Sequence, residues 1–116
     1  CMVSFNSKYA KKISRIKISS EKPKTGDIIY TSSAPQGISN HNIRLHFEGR
    51  YSGCANEKEC FYTIPGVIGS SGSGVLNDKG ELVGILNFSV IGFHNVTGGP
   101  PLYQIREFVL TNLGKL

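Results

Sequence analysis

Residues 64–76 read Ile-Pro-Gly-Val-Ile-Gly-Ser-Ser-Gly-Ser-Gly-Val-Leu, and the central run Gly69-Ser70-Ser71-Gly72-Ser73-Gly74 puts three glycines into six positions between two apolar stretches. Such a run marks a tight turn where backbone comes close to something else. Ser71 has Gly69 two residues before it and Gly72 directly after it, a layout that leaves a hydroxyl exposed beside backbone N–H groups. Glycine at 69 lets the chain turn so that the N–H groups of residues 69 and 71 face one point, where an oxyanion would form. An ordinary glycine–serine turn has the same composition, so the flanking sequence has to decide. It reads as strand, turn, strand: Val75–Asn77, Asp78-Lys79-Gly80, then Leu82–Val90.

Further out, Gly84-Ile85-Leu86-Asn87-Phe88-Ser89 and Pro100-Pro101-Leu102-Tyr103-Gln104-Ile105 follow the turn, and Lys24-Thr25-Gly26-Asp27-Ile28-Ile29-Tyr30 and Ala34-Pro35-Gln36-Gly37 precede it. With these segments the chain resembles the trypsin-like (chymotrypsin-fold) serine peptidases over about residues 22–114. In that family the nucleophile lies in Gly-x-Ser-Gly-[Gly/Ser]-[Pro/Gly], with Gly74 standing here where many members carry proline. The resemblance implies an all-β fold, a six-stranded Greek-key barrel closed by a C-terminal α-helix, equivalent to the second barrel of the double-barrelled family. Residues 1–21 would then be the end of an inter-barrel connection with a first strand, and 22–116 the barrel. Ser71 would be the nucleophile and Gly69 an oxyanion donor, while Leu86, Asn87, Phe88 and Ser89 would bind an extended peptide or protein substrate. The family's histidine and aspartate lie on the N-terminal barrel, which this chain does not include and which is the implied partner.

Composition agrees with a β domain. The 116 residues suffice for one core, hydrophobic residues make up 39%, and fourteen glycines punctuate runs rich in Thr, Val, Ile, Phe and Tyr. No uninterrupted apolar run is long enough for a membrane span, and the chain opens at Cys1-Met2 without the pattern of a signal peptide. A start at cysteine suggests a fragment or a processed piece, beginning just after the family's aspartate. The net charge is +5, and seven of the thirteen basic residues fall between Lys8 and Lys24. Tyr9 is the single aromatic residue among them, too few for a base-stacking surface, so this reads as the solvated face of a strand rather than a nucleic-acid surface. The compartment, secreted or intracellular, is not fixed by the sequence.

Cys54 and Cys60 bracket a five-residue polar loop and suit either a small disulfide or two free thiols. They show no ligand spacing with His41, His46 or His94, so no metal site is expected, and no cofactor is implied. Asn95-Val96-Thr97 is a glycosylation sequon that matters only in a secreted protein.

Along the chain, residues 1–5 read as a strand end and 13–19 as a strand within a basic segment. Further strands are expected at Asp27–Thr31, Ile43–Glu48 and Cys60–Ile64, with loops at Ser32–Asn42, Gly49–Lys58 and Gly92–Gly99. From Pro101, Leu102, Ile105, Phe108, Val109 and Leu113 recur at helical spacing, with Gly114 as the stop.

The chemistry narrows similarly. Ser73, not glycine, stands two residues after Ser71, which excludes the α/β-hydrolase elbow, and no Gly-Lys-[Ser/Thr] follows Gly69 as a phosphate loop requires. A serine hydroxyl needs a base; His46 alternates with Leu45 and Phe47 as an ordinary strand residue, and none of the three histidines suits that role. The expected pocket walls, Pro65–Ser70, Leu86–Ser89 and about Gly99–Tyr103, carry no acid, and Leu86 stands where relatives selecting Gln or Glu place histidine. This predicts a preference for small or medium uncharged side chains. Phe88 suits either a place beside the substrate or one in the core. The implied activity is that of a serine endopeptidase; the rival reading is a barrel of the same fold that binds peptides or a partner without cutting.

Overall fold

A computed structural model describes all 116 residues. Seven strands, β1 (Ile28–Ser33), β2 (Leu45–Ala55), β3 (Glu59–Tyr62), β4 (Gly74–Leu76), β5 (Leu82–Ile85), β6 (Phe88–Val90) and β7 (Phe93–Gly99), precede one helix, α1 (Leu102–Leu113). All strand pairs are antiparallel, in the order β5-β4-β1-β2-β3-β7-β6.

The sheet curls because β5 and β6 are consecutive in the chain yet lie at opposite ends of that order. The Leu86 N–H donates to Ser73 O (2.9 Å) and its carbonyl accepts from Gly72 N–H (2.7 Å), whereas the Asn87 N–H donates to Gly98 O (2.8 Å). Segment 82–90 therefore changes partners between residues 86 and 87. This splits the single strand expected at Leu82–Val90; with β7 in place of an expected loop and no strand at 13–19, the sheet has seven strands where six were expected.

Alternation in β1 turns Ile29 and Thr31 inward, and Ile29 joins Tyr51, Cys60, Tyr62, Ile64, Val75, Val83 and Leu86 in one buried core. Leu102 and Ile105 of α1 are also buried, but Phe108 and Leu113 of the expected apolar stripe are exposed. Gly114, at φ 73°, ends the helix with its N–H on Leu110 O (2.8 Å).

Two expected loops are strands, and the reason is close backbone approach. In β7, a Cβ on Gly98 would lie 2.6 Å from Cys60 O, and one on Gly99 would fall onto the Ile85 carbonyl. In β2, a Cβ on Gly49 would meet the Thr63 carbonyl. These glycines make room for a neighbouring strand rather than turn the chain. β2 thus runs through most of the region expected as a loop at Gly49–Lys58, and β7 replaces the loop expected at Gly92–Gly99.

The N-terminal region also differs from expectation. Residues 1–5 form no strand, Ser7–Lys12 form a 3-10 turn, and the strand expected at 13–19 reduces to one parallel bridge, Ile18 to Leu82. Hydrophobic residues here have nothing to pack on: Val3 and Ile16 are exposed, as are the lysines of the 3-10 turn. Lys17 reaches Glu81 (3.2 Å) and Arg106 donates to Ser19 O (2.7 Å), tying residues 17–19 to the barrel. Cys54 and Cys60 face each other across β2–β3 and are joined as a disulfide. No helix is long and apolar enough to cross a membrane.

Candidate functional site

After buried Ile64, two successive turns form. The Ser70 N–H donates to Val67 O (3.0 Å), closing the first around Gly69 at φ 97°, and the Ser73 N–H donates to Ser70 O (3.2 Å), closing the second around Gly72 at φ 88°. Only glycine takes such φ values without strain, which is why the pattern recurs at three-residue spacing. Ser70 is buried, and its Oγ accepts from Val67 N–H (3.4 Å). Ser71, next in sequence, is exposed.

The first turn is held from behind. The Gln36 N–H donates to Ile68 O (2.7 Å), and a Cβ on Gly69 would lie 2.8 Å from Ala34 O and 2.9 Å from Gln36 N. In a trans peptide, N–H and C=O point to opposite sides. With the Ile68 carbonyl committed to Gln36, the Gly69 N–H points away from the 34–36 loop. Neither the Gly69 N–H nor the Ser71 N–H donates to any acceptor within the chain.

Beside the turns lies a cavity of about 230 Å³, lined by Ser70, Ser71, Leu86, Asn87, Phe88 and Ser89 together with Gly66, Val67, Ile68 and Thr97. Every expected site residue except Gly69 lines it, and Gly69 lies between lining residues Ile68 and Ser70. Gly66 falls in the expected wall Pro65–Ser70, whereas Thr97 was not expected to line the site. Thr97 is buried and donates to Ile64 O (3.1 Å), and its Cγ2 occupies the place a Cβ on Gly66 would take. Only the three-dimensional pairing of β7 shows this, because Thr97 was assigned to a loop. Phe88 is half-buried, edge-on to Phe61 (centroids 5.6 Å apart), and lines the cavity. No charged side chain lines the cavity. β6 is the last strand of the sheet, bonded to β7 on one edge and open on the other.

No histidine is hydrogen-bonded to Ser71; His41, His46 and His94 are all exposed. The His94 carbonyl, not its ring, serves the site by accepting from Gly66 N–H (3.0 Å). A larger cleft of about 690 Å³ lies elsewhere, between residues 17–30 and the β4–β5 turn. It mixes Lys17, Lys22 and Arg50 with Glu21, Asp27 and Glu81, and holds no serine on a glycine turn. The smaller cavity is the better candidate because there an exposed hydroxyl on a glycine turn adjoins the unpaired N–H groups of residues 69 and 71.

The fold has known counterparts. The fold is chymotrypsin-like. A Glu endopeptidase structure matches with a TM-score of 0.73 at 21% identity over 91% of this chain and 50% of that one. The active form of the Rv3671c protease from M. tuberculosis matches with a TM-score of 0.72 at 13% identity over 87% of this chain and 48% of that one. The serine endoprotease from Yersinia pestis matches with a TM-score of 0.70 at 20% identity over 86% of this chain and 36% of that one. This chain therefore spans about half or less of the length of these structures. No protein-family model matches the chain, and no curated protein does.

Proposed function

We propose that this chain is the nucleophile-bearing barrel of a serine endopeptidase. The observation that carries this reading is the pair of unpaired N–H groups, on Gly69 and Ser71, flanking an exposed Ser71 hydroxyl at the lip of a cavity. The hydroxyl attacks the substrate carbonyl, and the two N–H groups stabilise the oxygen as it becomes negative. A histidine on an N-terminal barrel takes the hydroxyl proton and later delivers it to the leaving amine, while an aspartate orients that histidine. The likeness to the structures of a Glu endopeptidase, a serine endoprotease and the Rv3671c protease supports this reading, and their greater length leaves room for such a barrel.

The open edge of β6 takes the substrate as an added antiparallel strand along Asn87–Ser89. The side chain before the cut enters the cavity formed by Leu86, Phe88, Gly66 and Thr97. With no charge among the lining residues, small or medium uncharged side chains fit it best.

The test is a labelled fluorophosphonate, which reacts only with an activated serine. The intact protein should label, and Ser71→Ala should not. Peptide binding without labelling would instead favour a non-catalytic binding barrel of the same fold.

A further inference from the structure

The hairpin joining β6 to β7 carries two large apolar side chains that nothing in the chain covers. Ile91 is 99% exposed and Phe93 is 64% exposed. Val90 pairs with Phe93, so Ile91 and Gly92 form a two-residue tip, with Gly92 at φ 85°. A turn of this kind is ordinarily polar. Here the strand leading into it is the open edge that runs past the Ser71 turn.

We propose that this tip is a specificity element, an apolar subsite for substrate side chains four to six residues before the cut. The inference rests on the endopeptidase reading and adds to it a second recognition point outside the pocket. The Ser71 turn is bonded to Leu86 through Gly72, which sets the bond to be cut opposite the start of β6. A strand added antiparallel to β6 runs backward in its own numbering as β6 runs forward. The residue before the cut then lies by Asn87, the third before it by Ser89 and the fourth by Val90, where the strand ends, so the fifth reaches the turn at Ile91. Alternation puts the first, third and fifth side chains on one face of the substrate. A peptide with leucine, isoleucine or phenylalanine at the fifth position would cover Ile91 and Phe93, whereas aspartate there would be desolvated without a partner.

The test uses two synthetic fluorescent decapeptides with alanine before the cut, differing only in leucine or aspartate five residues before it. The intact protein should cut the leucine peptide with a kcat/KM about tenfold higher. Replacing both side chains, Ile91→Ser with Phe93→Ser, should bring that ratio close to one. The same pair is measured for binding to Ser71→Ala by fluorescence anisotropy, with the same discrimination expected. Equal cleavage or equal binding of the two peptides by protein with an intact tip would overturn the inference. Discrimination in binding, abolished by the double substitution, in a protein that neither labels nor cuts would sustain the subsite and remove the endopeptidase reading beneath it.

Discussion

Replacing Gly69 with alanine, with Gly72→Ala as its counterpart, separates two roles of the nucleophile turn. Both glycines have positive φ, 97° and 88°, so alanine at either costs about 1 kcal/mol or somewhat more in backbone strain. They differ in surroundings. A Cβ on Gly72 meets nothing within 4 Å, whereas one on Gly69 would sit 2.8 Å from Ala34 O and 2.9 Å from Gln36 N. Those are backbone atoms and cannot swing aside, so crowding adds about 1–3 kcal/mol at position 69 alone. Gly72→Ala should therefore lower stability by about 1 kcal/mol, and Gly69→Ala by about 2–4 kcal/mol. In urea, with a slope of about 1.5 kcal/mol per molar, their midpoints should differ by about 1 M or more. Relief of the crowding also turns the Gly69 N–H; on the proposed reading this removes one oxyanion donor, a loss of about 10²–10³ in kcat. Equal midpoints would refute the contact with the 34–36 loop. Turnover by Gly69→Ala within tenfold of the parent, at a temperature where it remains folded, would refute the donor role.

Other outcomes follow from single contacts. Ser71→Ala should end turnover while changing stability by no more than about 0.5 kcal/mol, since an exposed turn hydroxyl buries little; activity within tenfold of the parent would remove Ser71 from the mechanism. The Tyr62 hydroxyl is buried without a hydrogen-bond partner, so Tyr62→Phe should leave thermal stability unchanged or raise it, and a fall of several degrees would show a partner. Burial pushes the Tyr62 phenol above its ordinary value of 10.0, with Tyr51 adding to the shift. Folding then holds a proton that the unfolded chain releases, so stability is full below about pH 10 and falls as pH rises beyond it; an alkaline urea series should show this slope, and Tyr62→Phe should flatten it. Reducing the Cys54–Cys60 disulfide, with its separation of six residues, should cost about 2 kcal/mol, read as a lower urea midpoint in the presence of a thiol.

The features legible in the sequence were those set by local backbone chemistry. Positive φ at Gly69 and Gly72, the turn at Asp78–Gly80 and the helix stop at Gly114 each depend on one residue's own torsions, so composition announces them. The glycines of β2 and β7 were read as loop residues because the same residue type also serves close packing. What they make room for, Thr63, Cys60 and Ile85, is distant in sequence. Gly84 is a similar case: a Cβ there would collide with the Tyr62 hydroxyl, 22 positions away in the numbering. The strand expected at 13–19 failed for the opposite reason. Ile16 and Ile18 alternate as a strand requires, but only Ile18 finds a strand to pair with.

The position of the candidate site follows from how the sheet closes. At residues 86 and 87 the chain leaves β4 for β7, because Gly98 and Gly99 let β7 come against it on the far side. A strand that exchanges neighbours cannot stay bonded on both edges, so β6 is left with a free edge just past the exchange. The same residue, Leu86, still holds the Ser71 turn through Ser73 O and Gly72 N–H. The unpaired strand edge and the backbone anchor of the Ser71 turn thus share one crossing point. Substitutions that fill the room at Gly98 or Gly99 should therefore disturb peptide binding and Ser71 reactivity in parallel, although neither glycine lines the cavity. If Gly99→Ala yielded a folded protein in which only one of the two changed, the common origin argued here would be wrong.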